Sequence, residues 1–318
     1  MAYMASYGSQ KVVVIGASLI LVALNFSYTL AAREASIGGV AEEDIKARHE
    51  LWMVEYGRTY KDDMEKAQRF KVFKENADFI DRTNAAANGR YLMATNEFAD
   101  MSNEEFMAMY ARYKPIPSGA KKLSGFRYEN FTMLDAPEEI DWVKKGAVTK
   151  IKDQTKCGCC WAFTAVATVE GIHQIKTGHL LSLSEQQLLD CTAMDEGCTG
   201  GIMNHAFQYI IDNGGIATEN DYPNDEHALA AAVAKQPVGV AIDSSKFQLY
   251  SSGVMPGHDC GTTLSHSLTV VGYGLEGGTK YWLLKNHWGE RWGENGYMKL
   301  ERGIGACGID KEPSYPTA

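Results

Sequence analysis

The placement of cysteine constrains this chain more than any other feature of its sequence. All seven cysteines lie between positions 157 and 307, and none precedes them. The first 156 residues must therefore fold without disulfides, whereas the remainder can be cross-linked. Because seven is an odd number, at least one thiol has no intramolecular disulfide partner.

The N-terminal residues predict a secretory signal peptide. Lys11 precedes thirteen uncharged residues, 12–24, and the small residues Ala31 and Ala32 follow. A membrane-spanning helix needs about 18 apolar residues, so this shorter run suits a signal peptide instead. We expect residues 1–32 to be removed, and we expect the mature protein to reach the vacuole, the lysosome or the cell exterior through the secretory pathway, with no membrane anchor.

Composition and charge exclude disorder and nucleic-acid binding. The chain is 45% hydrophobic and 22% charged, as globular proteins are. Its net charge is -9, and it has no dense block of Lys and Arg that could bind phosphates. Its 318 residues suffice for one large folding unit or two modest ones, and we expect a monomer.

A long amphipathic helix is predicted in the cysteine-free part. Phe70, Phe73, Ala77 and Ile80 recur at spacings of three and four, which places them on one apolar face. Taken alone, this pattern indicates no more than a packed helix. The positions that carry further information are Glu65, Arg69, Val72, Phe73, Asn76, Ile80 and Asn84, followed by Asn96, Phe98 and Asp100.

Cys160 is the candidate nucleophile. It follows Gln154, Cys157 and Cys159, and it precedes an apolar helical pattern that ends near Gly178. Cys160 would therefore lie at a helix N-terminus. The partial positive charge and the free N–H groups there stabilise a thiolate, which is the form that attacks carbonyl carbon.

Two other uses of these cysteines fit the local pattern. Cys157 and Cys160 have the spacing of a redox pair, which would make the protein a thiol-disulfide oxidoreductase, but the preceding residues are a poor fit to the compact strand-helix-strand context of such pairs. A metal site would need repeated, closely spaced ligand pairs. Its candidate ligands are Cys157, Cys159, Cys260, His258 and His266.

A nucleophilic thiolate needs a base, and the base needs a group that orients it. His266 opens an alternating segment typical of a half-buried strand. Asn286 closes a second such segment, and Trp288 follows it. Each residue alone would be an ordinary structural residue, but with Cys160 they complete a Cys-His-Asn set.

These blocks together resemble the family of papain-like cysteine proteases. The helix at 65–84 resembles the interspersed motif of their prosegments, although Ala94 stands where the next motif usually has Gly. The blocks at 137–142, 197–201 and 292–297 also match in order. The similarity extends over nearly the whole chain after the signal peptide and is strongest to the plant senescence-associated type.

The resemblance implies an α+β fold with two lobes, a helical left lobe and a β-barrel-like right lobe, preceded by a helical inhibitory prodomain. It implies a propeptide at 33–135 and a peptidase domain at 136–318. The propeptide would lie across the cleft between the lobes as an inhibitor. It would be removed at acidic pH as its ion pairs weaken.

The resemblance also implies a cysteine endopeptidase made as a zymogen, without metal or other cofactor. Cys160 would be the nucleophile, and His266 its base and later the acid for the leaving amine. Asn286 would orient the imidazole, and Trp288 would shield the hydrogen bond between them from water. Gln154 and the Cys160 N–H would bind the oxyanion, where the loss of one donor typically costs about 2.7 to 4 kcal/mol.

Extended polypeptides are the implied substrates, and cystatin-type inhibitors are expected as further partners. The backbone of Gly200 and Gly201 would pair with the substrate. The pocket for the second residue before the scissile bond would be lined by Ile202, Met203, Ala241, Leu264 and Ser265, with Glu312 at its floor. Our hypothesis is that Glu312 admits Arg there beside apolar side chains, although a solvated Glu is an equally good interpretation.

The implied disulfides are Cys157–Cys198 and Cys260–Cys307, which leave Cys159 and Cys191 unassigned. Three residues depart from the family pattern near the nucleophile and base: Thr155 replaces the usual Gly, and Cys159 and His287 replace the commonest Ser. Thr155 matters if its position needs a positive φ. We expect His287 to point to the strand face opposite Asn286, where it would be harmless.

A gap is the largest departure. His266 lies 106 residues after Cys160, and Asn286 lies 126 residues after Cys160. About 130 to 150 residues are typical of these separations, so roughly 25 residues are missing. The motifs place the loss near 223–224, where relatives have a loop, a cysteine and a strand. A missing strand would expose core and ladder donors. The alternative function is therefore a catalytically inactive, truncated homologue whose prosegment inhibits other cysteine peptidases.

Overall fold

A computed structural model describes residues 42–117, 136–214, 218–219 and 225–316. The expected signal peptide and the shortened junction at 223–224 lie outside these residues. The chain divides into two units, 1–70 and 71–318. Within the described residues, no helix combines the length and the apolar character that a membrane span requires.

The first unit consists of helix α1, residues 42–55, and the beginning of helix α2, Asp63–Ala86. The His49 ring stacks against Trp52 and Tyr60, with ring centroids 5.8 and 6.1 Å apart. Lys66 forms an ion pair of 2.8 Å with Glu50. Aromatic stacking between α1 and the turn that follows it therefore takes the place of disulfides here.

The second unit begins within α2 and continues with strand β1, Tyr91–Met93, and helix α3, Asn103–Tyr110. Phe73, Ala77 and Ile80 are buried as the periodicity predicts. The polar residues of α2 fix the segment that follows the helix, because their side-chain amides form hydrogen bonds to its backbone. Asn84 makes two hydrogen bonds to the Met93 backbone, and Asn76 donates to the carbonyl oxygens of Ala99 and Met101.

Helix α4 forms the centre of the helical part. It spans Cys160–Thr177, and Gly178 ends it in the left-handed conformation with φ 78°, as predicted. The shorter helices are α5, Glu185–Cys191, α6, Met203–Asp212, and α7, Glu226–Val233. The buried face of α4 packs against Met203, Ala206 and Phe207 of α6.

Seven of the described strands form one mixed sheet. Its members are β2, Ile140–Asp141, β4, Val238–Ile242, β5, Tyr250–Met255, β6, His266–Glu276, β7, Thr279–Lys285, and β8, Tyr297–Glu301, together with β1. The order is β1-β5-β8-β7-β6-β2, and β4 also pairs with β6. Strands β3, Thr218–Glu219, and β9, Tyr315–Pro316, form a separate pair. The fold is α+β, as the sequence predicts.

Helix α7 begins shortly after the predicted gap at 223–224, and its first residue anchors it to the sheet. The Glu226 carboxylate accepts hydrogen bonds from Trp282 Nε1 at 2.7 Å and from the backbone N–H groups of Gly303 and Gly305 at 2.8 and 2.9 Å. Three donors to one carboxylate fix the start of α7 against β7 and the loop after β8.

Thr155 has a strained backbone, because its φ is 51°. This is the left-handed region, which costs a β-branched residue about 1–3 kcal/mol. Thr155→Gly is therefore expected to raise the free energy of unfolding by about 1 kcal/mol, after the entropy cost of Gly is subtracted. Urea denaturation of the Cys160→Ala zymogen measures this difference.

The matched control is Thr192→Gly, because Thr192 has a φ of -82° that L-residues adopt freely. This variant should lose stability through the greater flexibility of its unfolded chain. Destabilisation of the same size at both positions would show that Thr155 is not strained.

Candidate active site

Helix α4 presents Cys160 at its first position. The thiol is fully buried, and burial raises its pKa, whereas hydrogen bonds involving Ser267, Trp161 and Arg112 act in the opposite direction. Ser267 directly follows His266 on β6. The site therefore brings the nucleophile to the N-terminus of a helix and next to the strand that carries the base.

His266 is oriented by the side chain of Asn286. Asn286 Oδ1 lies 3.0 Å from His266 Nε2 and 2.9 Å from the backbone nitrogen of His287. A backbone N–H can only donate, so the acceptor atom of Asn286 is its oxygen, and His266 Nε2 must also be a donor. Neutral His266 then has its lone pair on Nδ1, which has no hydrogen-bond partner among the described residues.

Trp288 covers this hydrogen bond. Its ring centroid lies 4.6 Å from that of His266, and only 1% of the residue is exposed. Phe106 of α3 packs edge-on against Trp288 at 4.8 Å, and Trp292 packs against it at 5.0 Å. Burial in this aromatic cluster lowers the pKa of His266 to about 4, against the bond to Asn286, which raises it.

Gln154 also lies at the site. Its Nε2 donates to the Cys157 carbonyl oxygen at 2.8 Å and to that of Tyr110 at 3.3 Å. Its backbone N–H donates to the His287 carbonyl oxygen at 2.8 Å, which fixes the loop before α4 against the end of β7. A carbonyl of the prosegment therefore lies where the predicted oxyanion donor points.

The prosegment crosses the backbone that is predicted to bind the substrate. Tyr113 N–H donates to the Ser265 carbonyl oxygen at 2.9 Å, and Lys114 N–H donates to that of Gly201 at 3.2 Å. Tyr113 and Gly201 form a parallel bridge. A side chain at Gly200 would lie 2.4 Å from the Arg112 carbonyl oxygen, so only glycine allows this approach.

The Tyr113 side chain occupies the predicted pocket. It is buried in one cluster with Met203, Ala241 and Leu264. Ile202, the remaining apolar residue of the prediction, is buried and precedes Met203.

Glu312 binds the prosegment at the floor of this pocket. Its carboxylate accepts from the Tyr113 hydroxyl at 2.9 Å and from the Ile116 N–H at 3.2 Å. Burial raises the pKa of this carboxyl. The structure thus brings Met203, Ala241, Leu264, Ser265 and Glu312 of the predicted pocket to the segment around Tyr113.

The sequence did not reveal Tyr113 as the occupant of the pocket, and it did not reveal Asp195. The Asp195 carboxylate accepts from the Ile202 N–H at 3.0 Å and lies 2.9 Å from His205 Nδ1, beside Gly201. Neither residue lies in a periodic pattern, so no signal in this one sequence could have found them.

The cysteines divide as the resemblance implies. The structure contains the disulfides Cys157–Cys198 and Cys260–Cys307, and Cys159, Cys160 and Cys191 are free thiols. Because Cys157 is bonded to Cys198, the structure contradicts a redox pair of Cys157 with Cys160. Within the part of the chain that the structure describes, no group of His, Cys, Asp and Glu side chains could hold a metal ion.

The expectation for His287 was wrong. Strand β7 ends at Lys285, so the alternation of faces does not continue through Asn286 and His287. The His287 ring instead packs against the His266 ring, with centroids 5.0 Å apart. His287 therefore belongs to the surroundings of the base.

This geometry defines the class of protein: a cysteine peptidase whose N-terminal segment fills its own cleft. The model of the family described as "Papain family cysteine protease" matches residues 136–228 and 223–317. The model of the family described as "Cathepsin propeptide inhibitor domain (I29)" matches residues 49–106. The chain belongs to the papain family of cysteine proteases and contains their inhibitory propeptide. It is therefore a cysteine endopeptidase zymogen, and the two segments of the peptidase match overlap at residues 223–228, where the sequence analysis places the gap.

Plant enzymes are among its relatives. The chain is 49% identical to the senescence-specific cysteine protease SAG39 of Oryza sativa subsp. japonica, over 92% of this chain and 95% of that one. It is 44% identical to the senescence-specific cysteine protease SAG12 of Arabidopsis thaliana, over 86% and 90%.

Proform structures have the same fold. The recombinant stem bromelain precursor matches with a TM-score of 0.76 and 41% identity, over 86% of this chain and 99% of that one. The ragweed pollen allergen Amb a 11 in its proform matches with a TM-score of 0.80 and 37% identity, over 86% and 95%.

Acid should weaken the zymogen through His266. Its pKa is about 4 when folded and about 6.5 when unfolded, so the unfolded chain takes up the proton first and stability falls from pH 6.5 towards pH 4. Between pH 7 and pH 5, the Cys160→Ala zymogen should lose about 1–2 kcal/mol more than Cys160→Ala with His266→Gln. Urea denaturation at both pH values measures the difference, and equal losses would show that His266 carries no acid sensitivity.

Proposed function

We propose that this zymogen, once residues 33–135 are removed, hydrolyses peptide bonds of extended polypeptides through a thiolate-imidazolium pair of Cys160 and His266. The observation that carries the proposal is the pair of hydrogen bonds to Asn286 Oδ1. They fix the His266 tautomer and leave Nδ1 without a partner among the described residues. Only that tautomer gives the nucleophile a base.

In the zymogen the pair is neutral, because burial raises the Cys160 pKa and lowers the His266 pKa. Removal of the prosegment admits water, which favours the charged forms of both groups. His266 Nδ1 then takes the Cys160 proton. The positive end of α4 and its free N–H groups stabilise the thiolate.

The chemistry proceeds by acyl transfer. The thiolate attacks the scissile carbonyl carbon. The carbonyl oxygen becomes an oxyanion, which is bound by the Cys160 N–H and by Gln154 Nε2. The carbon-nitrogen bond breaks as the imidazolium gives its proton to the leaving amine, which leaves a thioester on Cys160. His266 then takes a proton from water, whose oxygen attacks the thioester and releases the acid and the thiol.

The zymogen itself suggests how substrates bind. The Gly201 carbonyl oxygen accepts from a backbone N–H of the prosegment, and the Tyr113 side chain fills the adjacent pocket. An extended substrate can make the same backbone bond and place its second residue before the scissile bond in that pocket. The enclosure favours apolar or aromatic side chains, and Glu312 adds a place for a positive charge.

We further propose that the protein enters the secretory pathway for the vacuole, the lysosome or the cell exterior and acts there as a monomer, with cystatin-type inhibitors among its partners. The uncharged run from Val12 supports the route. The two disulfides fit an oxidising compartment.

Activation should expose one reactive thiol. When the zymogen is acidified with a reductant, a thiol-directed epoxysuccinyl probe should label Cys160 in step with loss of the prosegment and the appearance of peptide turnover. Cys160→Ala should abolish labelling, whereas Cys191→Ala should leave it unchanged because that free thiol is exposed and lies outside the site. A soluble, folded chain that loses its prosegment but is not labelled would favour the inhibitor alternative.

Glu312 should determine the acceptance of Arg. With peptides that differ only in Leu or Arg two residues before the scissile bond, Glu312→Gln should lower kcat/KM for Arg about tenfold and leave that for Leu within about twofold, because a hydrogen bond to a charged group contributes about 1.5–3 kcal/mol. The control is Glu196→Gln, since Glu196 is an exposed carboxylate that pairs with Lys114 in the zymogen. An unchanged ratio of Arg to Leu in Glu312→Gln would remove Glu312 from specificity.

A further inference from the structure

His287 is buried directly behind the base. Its ring lies between the rings of His266, with centroids 5.0 Å apart, and Phe163 of α4, at 5.3 Å. Its Nε2 has no hydrogen-bond partner among the described residues. A side chain as small as Ser would leave much of this space unfilled.

Every charged group around His287 is already engaged elsewhere. Lys285 donates to Thr149 at 2.9 Å, and Thr149 donates to Glu170 at 2.6 Å. Lys152 forms ion pairs with both Glu170 and Glu185.

These groups share a small cavity with the imidazole. The charged side chains that line it are Lys152, Glu170, Glu185 and Lys285. Among the described residues, no carboxylate in it accepts a hydrogen bond from His287, and both carboxylates are already paired with Lys152.

We propose that His287 is a positioning residue for the peptidase reaction: its neutral ring forms the rear wall of the His266 imidazole and keeps water from that side of the base. The inference rests on the proposed function. A flat ring at this position holds the His266 ring against Asn286. It also limits the solvation of the imidazolium that forms during turnover.

The electrostatic surroundings agree with this role. Burial, followed by the charges of His266 and Lys285, lowers the pKa of His287 well below its ordinary value. When His266 takes the Cys160 proton, His287 therefore stays neutral. A residue that shared the proton could not serve as a wall of this kind, because two adjacent imidazolium groups would repel each other.

His287→Ser tests the proposal. The smaller, polar side chain admits water behind His266, which stabilises the imidazolium. The basic limb of the pH profile of kcat/KM should therefore move up by about half a pH unit or more, and kcat per active site should fall about two- to tenfold with KM nearly unchanged. His287→Leu, which restores an apolar wall, should return the basic limb to that of the unmodified enzyme.

The concentration of active enzyme is taken from titration with the epoxysuccinyl probe. A variant that yields less folded enzyme therefore does not show a falsely low kcat. The matched control is His173→Ser, whose histidine lies on the exposed side of α4 and bonds to the His179 carbonyl oxygen. It should leave the basic limb unchanged. A basic limb unchanged in His287→Ser, or moved equally in the Ser and Leu variants, would overturn the proposal.

A second measurement needs no variant at His287. In an NMR titration of the Cys160→Ala zymogen, the His287 resonance should titrate well below the ordinary pKa of an imidazole, which is about 6.5. Protonation of His287 near pH 6.5 would overturn the proposal. If the unmodified enzyme itself shows no labelling and no turnover, the proposed function fails, while the titration still decides whether His287 is neutral.

Discussion

One amide oxygen holds the site together. Asn286 Oδ1 receives the ring N–H of His266 and the backbone N–H of His287, and the His287 carbonyl in turn receives the Gln154 N–H. Three segments thus meet through one short stretch: the start of β6, the end of β7 and the loop before α4. Because that loop leads through Cys157 to Cys160, the position of the nucleophile depends on the same bonds that orient the base.

Burial explains why the zymogen is inactive. The prosegment does more than block the cleft, because burial of Cys160 and His266, the pair that we propose to be catalytic, also favours the uncharged thiol and imidazole. The Tyr110 carbonyl meanwhile accepts from the amide of Gln154. Steric, electrostatic and hydrogen-bonding effects of one segment therefore act on the same step of the reaction.

The sequence placed the proposed catalytic side chains in recognisable local patterns: Cys160 begins an apolar helix, His266 begins strand β6, and Asn286 directly follows strand β7. It predicted His287 wrongly, since alternation along β7 was extended past Lys285, where the strand ends. The path of the prosegment near Tyr113 was not predictable, because it depends on backbone bonds to distant residues. Glu226 likewise acts through contacts with remote loops.

The pairing of β1 with β5 has a consequence for the life of the mature enzyme. Tyr91 lies opposite Gly253, where a side chain would collide with the Arg90 carbonyl oxygen at 2.5 Å, so β5 is shaped to pair with β1, a strand of the segment whose removal we propose. Removal of that segment would leave β5 with unpaired backbone groups. An open edge of this kind invites pairing between copies of the chain, so the activated form should be the more prone to aggregate, and its persistence would be governed by the height of a kinetic barrier.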